Sequence, residues 1–165
     1  MNSRIEILNK TQADIKLTRI AYEIVEQSIE LDEIILAGIQ DRGYDIAKII
    51  QQKIKNICDL TVQLISIDID KTNPIHCKID EQLDLAKKNI IVVDDVANSG
   101  KTAMYALRPF LKHLPNKIQL AVLVDRKHKK FPVTSDYVGI QLSTTLKEKI
   151  IVEVDEAKNI IAYVE

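Results

Sequence analysis

The chain has 165 residues, of which 46% are hydrophobic and 28% charged, and its formal net charge is −1. That size and balance predict one domain, residues 1–165, with room for a proper core, and give no overall electrostatic pull toward nucleic acid. No apolar run approaches ~20 residues, so no membrane-spanning helix is expected.

The N-terminus, Met1-Asn2-Ser3-Arg4-Ile5-Glu6, lacks the apolar core of a secretory signal. Leu17, Ile20, Ala21, Ile24 and Val25 recur at helical spacing, which predicts an amphipathic helix over roughly 10–29. Glu33 to Ile39 reads as a buried strand. Gln40-Asp41-Arg42-Gly43 follows, and then a helix with Ile46, Ala47, Ile50 and Ile54 on one face. Thr61 to Ile69 is a further strand, and Lys71 to Lys78, with Asn73-Pro74, a polar connection. Ile90 to Val93 is a run of four aliphatic residues, as suits a parallel strand covered on both faces. A helix is expected from about Gly100 to His113, strands over Lys117–Asp125 and Tyr137–Leu142, and two strands in the tail joined near Ala157-Lys158-Asn159. Strands alternating with helices predict a doubly wound α/β fold, a parallel sheet of about five strands flanked by helices. Ligands bind such sheets at the carboxyl ends of the strands. Three loops would meet there: Gln40 to Gly43, Asp94 to Thr102, and Asp125 to Lys130. Gly43 and Gly100, two of only four glycines, fall in these loops, where backbone must approach a ligand closely. Cys58 and Cys77 lack metal-ligand spacing, and reduced thiols in a cytoplasmic protein are expected.

The segment Val92 to Thr102 is the most informative. Asp94 and Asp95 are read as ending the strand, where neither gains anything from a core. Small residues and one glycine then open onto a helix. Paired acids can accept hydrogen bonds from sugar hydroxyls, while loop amides and a helix N-terminus can hold a phosphate. Ser99-Gly100-Lys101-Thr102 looks like the end of a P-loop. That motif needs a glycine five positions before Gly100, however, and Asp95 stands there. A ribose-phosphate cradle is the better reading.

The acidic pair and its loop closely resemble the phosphoribosyl-pyrophosphate motif of type I phosphoribosyltransferases. Other segments point to one branch: Leu17-Thr18-Arg19-Ile20-Ala21, Gly38-Ile39-Gln40-Asp41-Arg42-Gly43, Ile118 to Arg126, Asp136-Tyr137-Val138-Gly139, and Glu148 to Glu156. Together they resemble the bifunctional pyrimidine operon attenuators that are also uracil phosphoribosyltransferases. The resemblance implies a core parallel sheet with a small hood over the base site. It also implies conversion of uracil or a related base, with phosphoribosyl pyrophosphate, to the nucleoside monophosphate and pyrophosphate, using Mg²⁺. On that reading Asp94 and Asp95 hold the ribose hydroxyls, directly or through hydrated Mg²⁺. Ala97, Asn98, Ser99, Gly100, Lys101 and Thr102 wrap the 5′-phosphate, Lys101 with its backbone only, and Val96 counts among the binding residues. Asp41, Arg42 and Gly43 form the pyrophosphate loop, with Arg42 stabilising the departing charge and a cis peptide expected before Arg42. Asp125-Arg126 faces the base, with Leu142 in the hood. A dimer or higher homo-oligomer is implied as well.

Two segments depart from the family pattern. The connection Asp68 to Lys78 is shorter than the family's mobile loop and lacks its tyrosine-arginine-aspartate sequence. Lys71 falls at the arginine's place, supplying charge without a bidentate fork. Where the family carries a histidine on a basic face of the first helix, this chain has Tyr22 with Glu23 and Glu26 nearby. RNA binding, which needs several phosphate contacts, is therefore disfavoured as a second role. The run Arg126 to Lys130 is either a solvated loop or a phosphate-facing lip.

Overall fold

The computed structural model describes residues 4–80, 82–145 and 147–165. In chain order the elements are β1 (Ile5–Leu8), α1 (Lys10–Glu26), β2 (Glu33–Ile39), α2 (Arg42–Ile57), β3 (Thr61–Ile69), β4 (Cys77–Lys78), β5 (Asn89–Ala97), α3 (Lys101–Leu111), β6 (Lys117–Arg126), β7 (Tyr137–Leu142), β8 (Ile150–Val154) and β9 (Ile160–Val164). The main sheet has the order β4-β3-β2-β5-β6-β7. Its five long strands are all parallel, and the two-residue β4 runs antiparallel on the edge.

The aliphatic runs are continuous because both faces of this sheet are covered. Along β2, Ile34 and Leu36 join one core cluster with α1 and α2 residues such as Ile20, Ile24, Ile46 and Ile50. Ile35, Ala37 and Ile39 alternate into a second cluster, under Ala103, Ala106 and Phe110 of α3. This period of two within an unbroken hydrophobic stretch is what a doubly wound sheet demands.

α1 starts with a capping box in which Asn9 Oδ1 accepts from Gln12 N–H and Gln12 Oε1 accepts from Asn9 N–H. It stops at Glu26, earlier than expected. The Gln27 side chain is instead engaged by the Tyr137 hydroxyl, 2.9 Å away, and by Gln119 Nε2, 3.0 Å away. α3 likewise ends at Leu111, soon after Pro109, which removes one helical hydrogen bond.

The two tail strands appear as expected, as β8 and β9, while β1 and the full length of β5 lay outside the sequence expectations. β1 pairs antiparallel with β9, and β9 with β8, making a separate three-stranded sheet from the two ends of the chain. This sheet is the small hood. β5 also runs through the acids rather than ending at Val93. Asp94 pairs with Val122, Val96 with Val124 and Ala97 with Asp125, because the backbone ladder to β6 is indifferent to side-chain polarity.

Candidate active site

β5 and β6 deliver their C-terminal residues to one edge of the main sheet, and a cavity of about 210 Å³ opens there. It is lined by the whole stretch Asp94 to Ala103, by Lys71 across the mouth, and by Val122 and Ile150. Sequence reasoning missed Val122 and Ile150. Val122 was legible only as a core strand residue, and Ile150 comes from the hood, whose position no local pattern encodes.

Asp94 is 3% and Asp95 6% exposed. Each carboxylate also receives a backbone N–H: Asp95 N–H donates to Asp94 Oδ1 and Val96 N–H to Asp95 Oδ1, both at 2.9 Å. Lys71 Nζ lies 3.5 Å from Asp94 Oδ1 and 3.8 Å from Asp95 Oδ1. Burial, and then the neighbouring Asp95 charge, push the Asp94 carboxyl up to about 8, with Lys71 working the other way. Two acids sharing a desolvated edge therefore hold affinity for a cation or for hydroxyl donors in reserve.

Beyond them the chain turns at Gly100, whose φ of +83° falls in the left-handed region, and enters α3 at Lys101. The N-terminus of α3 thus shares the cavity with the acid pair. Asn98, Ser99, Gly100 and Thr102 line the space between, and the Lys101 side chain is exposed. The run after β6 buttresses this loop. Lys130 and Phe131 N–H both donate to the Ser99 carbonyl, at 2.8 and 3.1 Å. Lys129 Nζ pairs with Asp125 and donates to the Arg126 carbonyl at 2.8 Å. The run from Arg126 to Lys130 is thus neither free loop nor simple lip; part of it is a backing strap for the small-residue turn.

Other expected residues sit differently. Arg42 lines a separate depression of about 370 Å³ with Asp45, Glu153, Val154, Asp155, Asn159 and Ile161, between the start of α2 and the hood. The Gln40–Asp41 peptide is cis, one residue earlier than the bond expected before Arg42. Gly43 is required by packing. A Cβ there would stand 2.5 Å from the Val93 carbonyl oxygen and 3.0 Å from Asp94 Cα. The Asp41 to Gly43 turn and the acid pair are thereby pressed together. Arg126 donates to Asn98 Oδ1 at 3.1 Å and to the Thr145 carbonyl at 2.9 Å, tying the loop to the segment after β7. Leu142 is not part of the hood. It is the last residue of β7, paired with Arg126 in the main sheet, because the hood is built from β1, β8 and β9 alone.

The fold is shared with purine enzymes of known structure. A hypoxanthine-guanine phosphoribosyltransferase of Bacillus anthracis superposes with a TM-score of 0.74 at 21% identity, covering 97% of each chain. A hypoxanthine phosphoribosyltransferase of Trypanosoma cruzi gives 0.78 at 13% identity, covering 98% of this chain and 85% of that one. Sequence relatives are nearer. The bifunctional protein PyrR of Clostridium novyi is 41% identical, covering 85% of this chain and 84% of the relative. That of Streptococcus pneumoniae is 36% identical, covering 92% and 90%. The family model described as the phosphoribosyl transferase domain matches residues 3–157. With the acid pair, the left-handed turn and the helix N-terminus arranged as described, the chain belongs to the phosphoribosyltransferase family, on its PyrR branch.

Proposed function

We propose that this protein transfers the ribose 5-phosphate of phosphoribosyl pyrophosphate to uracil or a related nucleobase, releasing pyrophosphate. The buried acid pair sharing one cavity with the α3 N-terminus is the observation that carries this reading. As the C1′–pyrophosphate bond breaks, the ribose takes on positive charge, the base nitrogen bonds to C1′, and the base gives up its N–H proton. Asp94 and Asp95 hold the ribose 2′- and 3′-hydroxyls, and their charge favours the cationic sugar. The amides of Ala97 to Thr102 and the Thr102 hydroxyl hold the 5′-phosphate. Arg42, with Asp41 and Gly43, is assigned to the pyrophosphate side, which requires its side chain to turn from the depression beside the hood. Arg126 and Leu142, at the ends of paired strands, border the base.

The donor set suits Mg²⁺. Among the described residues no cluster of three or more His, Cys, Asp or Glu exists that could hold a metal by itself. Mg²⁺ typically keeps several waters and takes one or two carboxylates plus substrate oxygens, which Asp94 and Asp95 can provide. When bound, the ion would screen the charge of the leaving pyrophosphate. The free thiols of Cys58 and Cys77 support a cytoplasmic setting, and resemblance supports a homo-oligomer.

Turnover of labelled uracil with phosphoribosyl pyrophosphate and Mg²⁺, run beside hypoxanthine, guanine and orotate, tests the reading. Uracil is expected to be the best acceptor. Product with none of the four bases would overturn it. The name of the relatives, bifunctional protein PyrR, keeps a second role in view, that of an RNA-binding regulator of pyrimidine genes. The outer face of α1 around Tyr22 offers it little positive charge. Tyr22 is exposed beside Glu23 and Glu26, and Arg19 is engaged by Glu23 and the Val138 and Gly139 carbonyls. A gel shift with pyrimidine leader RNA, with and without UMP, decides this role.

A further inference from the structure

Lys71 is the one side-chain cation, among the described residues, within ion-pair distance of Asp94 or Asp95. Its ammonium faces Oδ1 of both acids, close to where any other cation serving the pair would sit. The backbone that carries it is tied down. Thr72 N–H and Oγ1 both donate to Asp70 Oδ1, at 2.9 and 2.6 Å. Arg108 donates to the Ile75 carbonyl at 3.1 Å, and β4 pairs Asp68 with Lys78 and Ile69 with Cys77. The side chain is not tied down to the same degree: it is 45% exposed, on a flexible four-carbon stem.

Two cations crowded onto this pair repel each other. A divalent ion seated on the acids would lie within a few ångströms of the Lys71 ammonium, and at that separation in a partly desolvated site the repulsion is large. The substrate resolves the conflict, because it brings a pyrophosphate anion together with its sugar hydroxyls and its metal. We propose that Lys71 is an exchangeable counter-cation. It neutralises the acid pair while the site is empty of substrate, and in doing so excludes a free divalent cation. It releases the acids to the ribose and its metal only when the pyrophosphate offers a replacement partner. Metal then enters with phosphoribosyl pyrophosphate rather than before it. This deepens the proposed function and rests on it.

The prediction has two arms of opposite sign, which a merely structural lysine would not give. Without substrate, Mn²⁺ binding followed by electron paramagnetic resonance should be at least about fivefold tighter in Lys71→Gln than in wild type. Lys71→Arg should stay near wild type. With saturating Mg²⁺, phosphoribosyl pyrophosphate should bind Lys71→Gln at least about fivefold more weakly. Circular dichroism and melting curves confirm that the variants are folded, and Lys71→Met provides a second neutral side chain. Equal or weaker Mn²⁺ binding in both neutral variants would overturn the exchange, whatever the substrate arm shows. Failure of the wild type to bind phosphoribosyl pyrophosphate with Mg²⁺ would instead overturn the functional reading, so the two failures are distinguishable.

Discussion

Asp94 sits in a part of β5 where a hydrophobic residue would stabilise the fold better. Its folded-state value, about 8, lies above the value of about 3.9 expected in an unfolded chain. Without metal, the folded state therefore holds a proton that the unfolded chain has lost, so Asp94 withdraws stability as pH rises from about 4 to about 8. Asp94→Asn carries no such charge. Its melting temperature should gain on wild type across that window, by more than about 4 °C at the top, and level off above it. Melts in chelator at about pH 5 and about pH 9 check this, and an equal difference at both values would show that the carboxyl ionises in the fold at little cost. The same substitution should weaken phosphoribosyl pyrophosphate binding, a gain in stability set against a loss of ligand. The sequence showed the two acids and the small-residue turn, because their chemistry is local. It misplaced Leu142 and the cis bond, and left the direction of Arg42 open. Which sheet a strand end joins, and where a long side chain points, depend on distant neighbours.

The β2–α2 junction shows how an element can be set by one missing side chain. Gly43 lies in the first turn of α2 and approaches the β5 backbone at Val93 and Asp94. Neither obstacle is a flexible side-chain tip. Gly43→Ala must therefore push α2 away from β5, at a cost of about 1–3 kcal/mol, the range for overpacking a well-packed contact. Chemical denaturation measures that cost, and a change under about 0.5 kcal/mol would mean that the junction yields easily. The five parallel strands were legible because alternating burial on two covered faces leaves unbroken aliphatic runs. Of the hood, the two tail strands were legible and match β8 and β9, but β1 was not, because it pairs residues as far apart as Ile5 and Val164 and a four-residue strand carries little periodic signal.

At the scale of the whole molecule, the hood shares its core with the main sheet. Val152, Ile160, Ala162 and Val164 belong to the same buried cluster as Ile34, Leu36 and Val93. Lys158 also reaches Asp45 of α2 at 3.4 Å, and Lys10 reaches Asp155 at 3.1 Å. Ile160→Ala should therefore destabilise the entire chain, by about 2–5 kcal/mol, within a single unfolding transition. Calorimetric and van't Hoff enthalpies that agree would support this, whereas a separate early transition would mark the hood as an independent unit. The contact at Gly43 has a mechanical consequence at this scale. The turn that begins α2 and the acid-bearing end of β5 meet backbone to backbone, so they form one anvil and cannot close further against each other. Any motion that shuts the cavity on its substrate must come from its other walls, such as the Lys71 side chain and Ile150 of the hood.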